Sequence, residues 1–216
     1  MIPIFAQHRL SLAGFGCRRR RIGLLGGSFN PAHDGHLHVS LIALRRLGLD
    51  EVWWLVSPQN PLKPMAGMAP LAQRLQQARR VARHPRLRVS GVERDLNTRY
   101  TADTLEKLTR CLPRARFVWL MGADNLKQMD RWSRWWRIFR RVAIAVLARG
   151  PYSLPGLAGK AARRFAQFRL KTARSRSLAD HQPPAWVFLP IRLHPASATD
   201  IRNQDLIARE ETSSTT

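Results

Sequence analysis

An α/β fold, an open parallel sheet with helices on both faces, is what this sequence predicts, and three observations carry it. Apolar runs of strand length alternate with stretches of helical periodicity from residue 21 to about residue 209. Loops rich in glycine, proline or other small residues follow several of those runs, and open parallel sheets bind ligands at that edge. The length, 216 residues, suffices for one sizeable core of about five or six strands and requires no second domain.

Residues 21–25 form the first apolar run, which feeds directly into Gly26-Gly27-Ser28-Phe29-Asn30-Pro31-Ala32-His33-Asp34-Gly35-His36. Leu37, Leu41, Leu44 and Leu47 then mark one face of a helix that stops by Gly48. Strand, loop and helix in that order suit an anion. The paired Gly26 and Gly27 are expected to let the backbone turn with its amides exposed, and a helix beginning near Gly35 adds its positive end. His33 and His36, three apart across the helix start, are spaced to face one phosphate group as hydrogen-bond donors.

Residues 51–56, with Trp53 and Trp54, give the second strand and complete a βαβ unit; the loop at 57–64 holds too much proline for regular structure. Residues 71–82 predict a basic-faced helix and 87–92 a third strand. A turn at Asn97 leads to residues 100–105, where Thr101 is expected to cap a helix running toward Leu112. The fourth strand, 117–121, ends in Gly122-Ala123-Asp124-Asn125. Trp132, Trp135 and Trp136 follow on a short helical stretch; tryptophans so close belong to a core, though one ring beside a ligand loop can stack on a base or pyridine. Residues 142–147 make a fifth strand and 186–189 the last. Between them, 149–182 weakens into a Gly-, Pro- and Arg-rich segment with one helix near 161–168, expected as a mobile basic insertion. Ser197-Ala198-Thr199-Asp200-Ile201-Arg202 opens the final helix, and the polar tail 210–216 is expected to fray.

A formal charge of +23 concentrates anions, nucleic acid and nucleotides alike, so its sign does not choose a partner. Arginines make up most of the 37 basic residues and are scattered along the chain, which we read as compositional bias. Two cysteines, Cys17 and Cys111, form neither a disulfide framework nor a zinc spacing, and a reducing cytoplasm is the expected home. Residues 1–20 place apolar pieces before their basic cluster, the reverse of a signal peptide, and are expected to be a disordered extension. No apolar run approaches the ~18 residues that span a bilayer.

The run GGSFNPAHDGH resembles the phosphate-binding signature GGSFNPxHxGH of bacterial nicotinate-nucleotide adenylyltransferases, within the HxGH nucleotidyltransferase superfamily. SPQNPLK at 57–63, YTADTL at 100–105, GADNL at 122–126, Trp132 after it, and SATDIR at 197–202 agree in order over nearly the whole chain. Ala198 departs from the SSTxIR pattern of many relatives, while Ser197, Thr199 and Arg202 keep its skeleton.

The resemblance implies a Rossmann-like sheet of nucleotidyltransferase type and an enzyme of NAD biosynthesis that joins AMP from ATP to nicotinate mononucleotide, giving deamido-NAD and pyrophosphate. It assigns His33, His36 and Arg202 to catalysis. Gly26, Gly27, Ser28, Phe29, Lys63, Ser197 and Thr199 go to the ATP phosphates. Asn60, Tyr100, Thr101, Ala102, Asp124, Trp132 and Ser133 go to nicotinate mononucleotide. Mg²⁺ is expected bound with ATP and not in a protein cage. Each residue has a plainer reading: the His pair as zinc ligands lacking a third, Asp34, Thr101, Asp103 and Asp124 as helix-start residues, Trp132 as core. Rival functions are a pantetheine-phosphate adenylyltransferase, a cytidylyltransferase, or a basic nucleic-acid-binding protein. We expect no specific nucleic acid and no membrane as partners, and the sequence leaves the oligomeric state open.

Overall fold

The strands observed are β1 (Arg21–Gly27), β2 (Glu51–Val56), β3 (Leu87–Ser90), β4 (Arg116–Gly122), β5 (Ala143–Arg149), β6 (Arg169–Leu170) and β7 (Trp186–Ile191). They join in one sheet of order β3-β2-β1-β4-β5-β7-β6, and every pairing is parallel. These come from a computed structural model, which describes residues 19–59, 67–149 and 153–192.

Side chains alternate along each strand, so a run apolar at every position buries both faces. In β2 all six residues are buried, and the neighbours Trp53 and Trp54 go to opposite cores. One core packs Trp53, Trp119, Ile144 and Trp186 beneath α4 (Thr101–Cys111) and α6 (Trp135–Arg141). The other packs Trp54, Val118, Ala145 and Val187 beneath α1 (Asp34–Arg46) and α2 (Leu71–Val81).

The sheet reverses its order between β1 and β4, since β2 and β3 lie to one side of β1 and β4, β5 and β7 to the other. Chains leaving these two strands at their carboxyl ends diverge, and a crevice opens there. That crevice fixes where ligand chemistry is to be sought.

Several expected boundaries move. The third strand stops at Ser90, whose hydroxyl accepts from the Val92 N–H at 3.2 Å and starts α3 (Val92–Asp95) in place of further strand. The expected sixth strand is the seventh, because β6 pairs with β7 through only two residues, too few to show a period. The helix expected at 161–168 is α8 (Lys160–Arg164) followed by a 3₁₀ turn over Ala166–Phe168. Residues 153–182 otherwise fold into α7 (Ser153–Leu157), β6 and a 3₁₀ stretch, Thr172–Asp180, and pack on the sheet: Phe165 stacks on Phe139 at 4.2 Å, and Leu178 is buried. Asp180 pairs with both Arg21 and Arg116, tying this segment to β1 and β4. Arg20, assigned to the extension, is anchored by Glu51 at 2.7 Å and by its own carbonyl, which accepts from Arg116 N–H.

Candidate active site

Gly26 and Gly27 lie inside β1 and do not make the turn expected of them. A Cβ at Gly26 would stand 2.3 Å from the Trp119 ring, so glycine is required there by the close approach of the neighbouring strand's indole. That packing leaves Trp119 Nε1 without an acceptor among the described residues, a cost of about 1–3 kcal/mol. The turn falls instead at Phe29, whose φ of 48° is unusual for a bulky residue. Burial of its ring, stacked on Trp54 at 5.2 Å, offsets that strain.

The loop ends on a reciprocal cap. His33, the residue before α1, accepts from Gly35 N–H through Nδ1 at 3.1 Å, and His36 Nδ1 accepts from His33 N–H at 3.2 Å. Capping therefore falls to His33 and not to Asp34, which is exposed and faces Arg83 at 3.3 Å. Because each Nδ1 accepts, the neutral form of each ring carries its proton on Nε2. The two rings stand 3.9 Å apart, and His36 packs on Phe29 at 4.7 Å. Ser40 links this unit to β2, donating to the His36 carbonyl and accepting from Trp54 Nε1, both at 2.8 Å.

Across the switch point, Gly122 ends β4 and α5 (Ala123–Lys127) begins, with Asp124 exposed at its first turn. Gly26, His36, Trp119, Gly122, Asn125 and Trp132 line one crevice of about 100 Å³ between the two strands. Trp132 is half-buried and meets Trp119 edge-on at 6.4 Å. A larger groove, about 670 Å³, runs along the outer face of α1 past His38, Arg45, Arg86 and Arg176; it holds none of the expected site residues.

The start of α4 reaches the same side. Tyr100, not Thr101, precedes this helix, and its carbonyl accepts from the Asp103 and Thr104 amides; Thr101 is the first helical residue, so its hydroxyl does not cap. The Thr101 and Ala102 amides therefore lack an intrahelical acceptor. Arg134 holds this helix start beside residues 132–133: its guanidinium meets Asp103 at 2.6 Å and lies 5.9 Å from the Tyr100 ring centroid. Ser133 sits between Trp132 and Arg134, which adopts a left-handed φ of 52° before α6.

Two residues of this region escape sequence reasoning. Arg74 of α2 is buried and donates to the carbonyls of Ser28 and Ser57, both at 2.7 Å, although its place on a basic-faced helix predicts solvent. Glu93 of α3 is buried beside Ser57, and burial raises its carboxyl to about 7 against the pull of the Ser57 hydrogen bond. Neither belongs to a motif, and charged residues carry no sequence signal of burial.

Asn60, Lys63, Ser197, Thr199 and Arg202 lie outside the described residues. Among the described residues no three His, Cys, Asp or Glu side chains gather in a metal-binding group. No helix among them is long and apolar enough to cross a membrane.

A family model described as cytidylyltransferase-like matches residues 24–204. A protein of Cereibacter sphaeroides, described as a probable nicotinate-nucleotide adenylyltransferase, is 52% identical over 84% of this chain and 95% of its own length. A Bradyrhizobium protein of the same description is 51% identical over 86% of this chain and 96% of its own. Among solved structures, Plasmodium falciparum nicotinic acid mononucleotide adenylyltransferase complexed with NaAD shares the fold with a TM-score of 0.63 at 14% identity, over 85% of this chain and 83% of that one.

Proposed function

This chain belongs to the cytidylyltransferase-like family, with the nicotinate-nucleotide adenylyltransferases as its relatives, and we infer that it joins AMP from ATP to nicotinate mononucleotide. The products are deamido-NAD and pyrophosphate, and the reading is of a cytoplasmic enzyme acting on free nucleotides. The observation that carries it is the His33–His36 cap at the β1–β4 switch point, with Trp132 in the same crevice as His36.

An oxygen of the mononucleotide phosphate attacks the α-phosphorus of ATP. One P–O bond forms as the α–β bridging bond breaks, and pyrophosphate leaves with the electron pair; no protein nucleophile is needed. The protein's work is positioning and charge stabilisation. His33 and His36 are assigned as Nε2–H donors to the phosphates, held in that tautomer by the amides that cap them. Backbone amides of the loop at Ser28 and Phe29 add further donors, and Gly26 and Gly27 are assigned to the ATP phosphates on the resemblance of their motif. Lys63, Ser197, Thr199 and Arg202 are assigned to the triphosphate on the resemblance of their motifs. Mg²⁺ bound with ATP screens the phosphate charge.

For the acceptor, Trp132 is assigned to the pyridine ring, the Thr101, Ala102 and Ser133 amides to its carboxylate, and Tyr100, Asn60 and Asp124 to the rest of the mononucleotide. A carboxylate accepts from amides and donates nothing, so helix-start amides suit it without a counter-charge.

Pyrophosphate release should require ATP and nicotinate mononucleotide together, with deamido-NAD identified by mass. Release with phosphopantetheine in place of the mononucleotide, or with CTP in place of ATP, at equal or greater efficiency would transfer the assignment to a neighbouring nucleotidyltransferase.

A further inference from the structure

Arg74 is 1% exposed, yet among the described residues no carboxylate pairs with it. Its guanidinium is satisfied by backbone carbonyls instead. Nη1 donates to Ser28 O and Ser57 O, both at 2.7 Å, Nη2 to Pro58 O at 2.9 Å, and Nε to Ala69 O at 2.8 Å. Four of its five N–H groups thus reach the loop after β1, the loop after β2 and the lead into α2. Asn30 fastens the first of these to the last, donating to Gly67 O at 2.9 Å and accepting from Ala69 N–H at 3.0 Å.

The carbonyls drawn inward decide where the amides go. In a trans peptide C=O and N–H point in opposite directions, and the Ser28–Phe29 and Pro58–Gln59 bonds are both trans. With Ser28 O and Pro58 O turned onto Arg74, the N–H groups of Phe29 and Gln59 turn away from it. Neither amide has an acceptor among the described residues. A buried cation with no carboxylate partner among the described residues adds positive potential on the side those amides face, in a low-dielectric setting where it is weakly screened.

We propose that Arg74 is the positioning residue of the phosphate site, fixing the loops after β1 and β2 together so that the Phe29 and Gln59 amides face the substrate phosphates, with its own charge behind them. The proposal rests on the assignment of this site to phosphates and is independent of which acceptor is used.

Steady-state kinetics of Arg74→Met and Arg74→Lys test it, each assayed well below its unfolding midpoint. Loss of the clamp should lower kcat by about tenfold to a hundredfold in Arg74→Met, and raise the inhibition constant of inorganic pyrophosphate, while KM for nicotinate mononucleotide stays within about twofold. Arg74→Lys restores charge but not the four-way reach, so it should recover the pyrophosphate constant in part and kcat little. In Arg74→Ala, guanidinium at non-denaturing concentration should restore turnover, which it should not do for His36→Ala. A folded Arg74→Met with kcat and pyrophosphate inhibition within twofold of wild type would overturn the proposal. So would the absence of pyrophosphate-dependent shifts at the Phe29 and Gln59 amides in ¹⁵N spectra of the unaltered protein, a readout that needs no variant to fold. If those shifts appear while nicotinate mononucleotide is not turned over, the acceptor assignment fails and this one stands.

Discussion

His36 serves two ends at once: its Nδ1 holds the His33 amide while its Nε2 proton is committed to the opposite side of the ring. His36→Ala should therefore lower kcat about a hundredfold or more, because a donor that tightens as charge moves onto the phosphates is gone. Loss of the cap should cost only about 1 kcal/mol, a few degrees in a protein of this length. Kinetics beside a thermal melt separate the two effects, and near-normal turnover would remove His36 from the phosphates. Glu93 sets a pH dependence of stability. Burial raises its carboxyl from 4.5 to about 7, so the native state holds a proton that the unfolded chain releases near 4.5. Its contribution is complete below about 4.5 and is lost as pH rises through about 7, about 3 kcal/mol at most by linkage. Glu93→Gln, neutral at every pH, should gain on wild type across that window in denaturant titrations at pH 4.5 and 7.5; parallel profiles would contradict the assignment. The His pair was legible because a three-residue spacing at a helix start fixes proximity. The turn expected at Gly26 and Gly27 falls at Phe29 because what constrains these positions, the Trp119 ring and the Trp54 stack, arrives from other strands.

At the scale of elements, the pocket proposed for the acceptor depends on α4 and α6 starting side by side, an arrangement held by the Asp103–Arg134 pair. Trp132 stands at that junction, lining the crevice between β1 and β4. Trp132→Ala should raise KM for nicotinate mononucleotide by about tenfold and leave KM for ATP within about twofold, since stacking touches only the acceptor. A defect confined to ATP would put the acceptor elsewhere. The alternation of strand and helix was readable because both faces of the sheet are covered and β2 and the middles of β1, β4 and β5 are buried at every position. Element ends were less so, since they turn on local bonds: the Ser90 hydroxyl ends β3, and the Tyr100 carbonyl, not the Thr101 side chain, anchors the first turn of α4. β6 has no signal of its own and exists because β7 offers an open edge.

Over the whole molecule the alternation of strands and helices predicts a parallel sheet, but pairing order is a property of the assembled sheet, and only the switch point between β1 and β4 brings distant motifs together. Ser197, Thr199 and Arg202 lie outside the described residues, so their assignment to the site rests on their motif. A charge of +23 attracts anionic substrates to the molecule at long range. Raising salt from about 0.1 M to about 1 M shortens the screening length from about 10 Å to about 3 Å, and both KM values should rise severalfold with kcat changed less than about twofold. A flat KM would mark the arginines as surface composition without a role in capture. Adenylyl transfer to the acid form of the pyridine mononucleotide, as proposed above, is put to the test by competition. With ATP and equal concentrations of nicotinate and nicotinamide mononucleotide in one vessel, the initial ratio of deamido-NAD to NAD reports the two specificity constants. Buried amides left facing an NH₂ cost ~1–3 kcal/mol each, so deamido-NAD should exceed NAD by about tenfold to several hundredfold. A ratio near one, or an excess of NAD, would contradict the account.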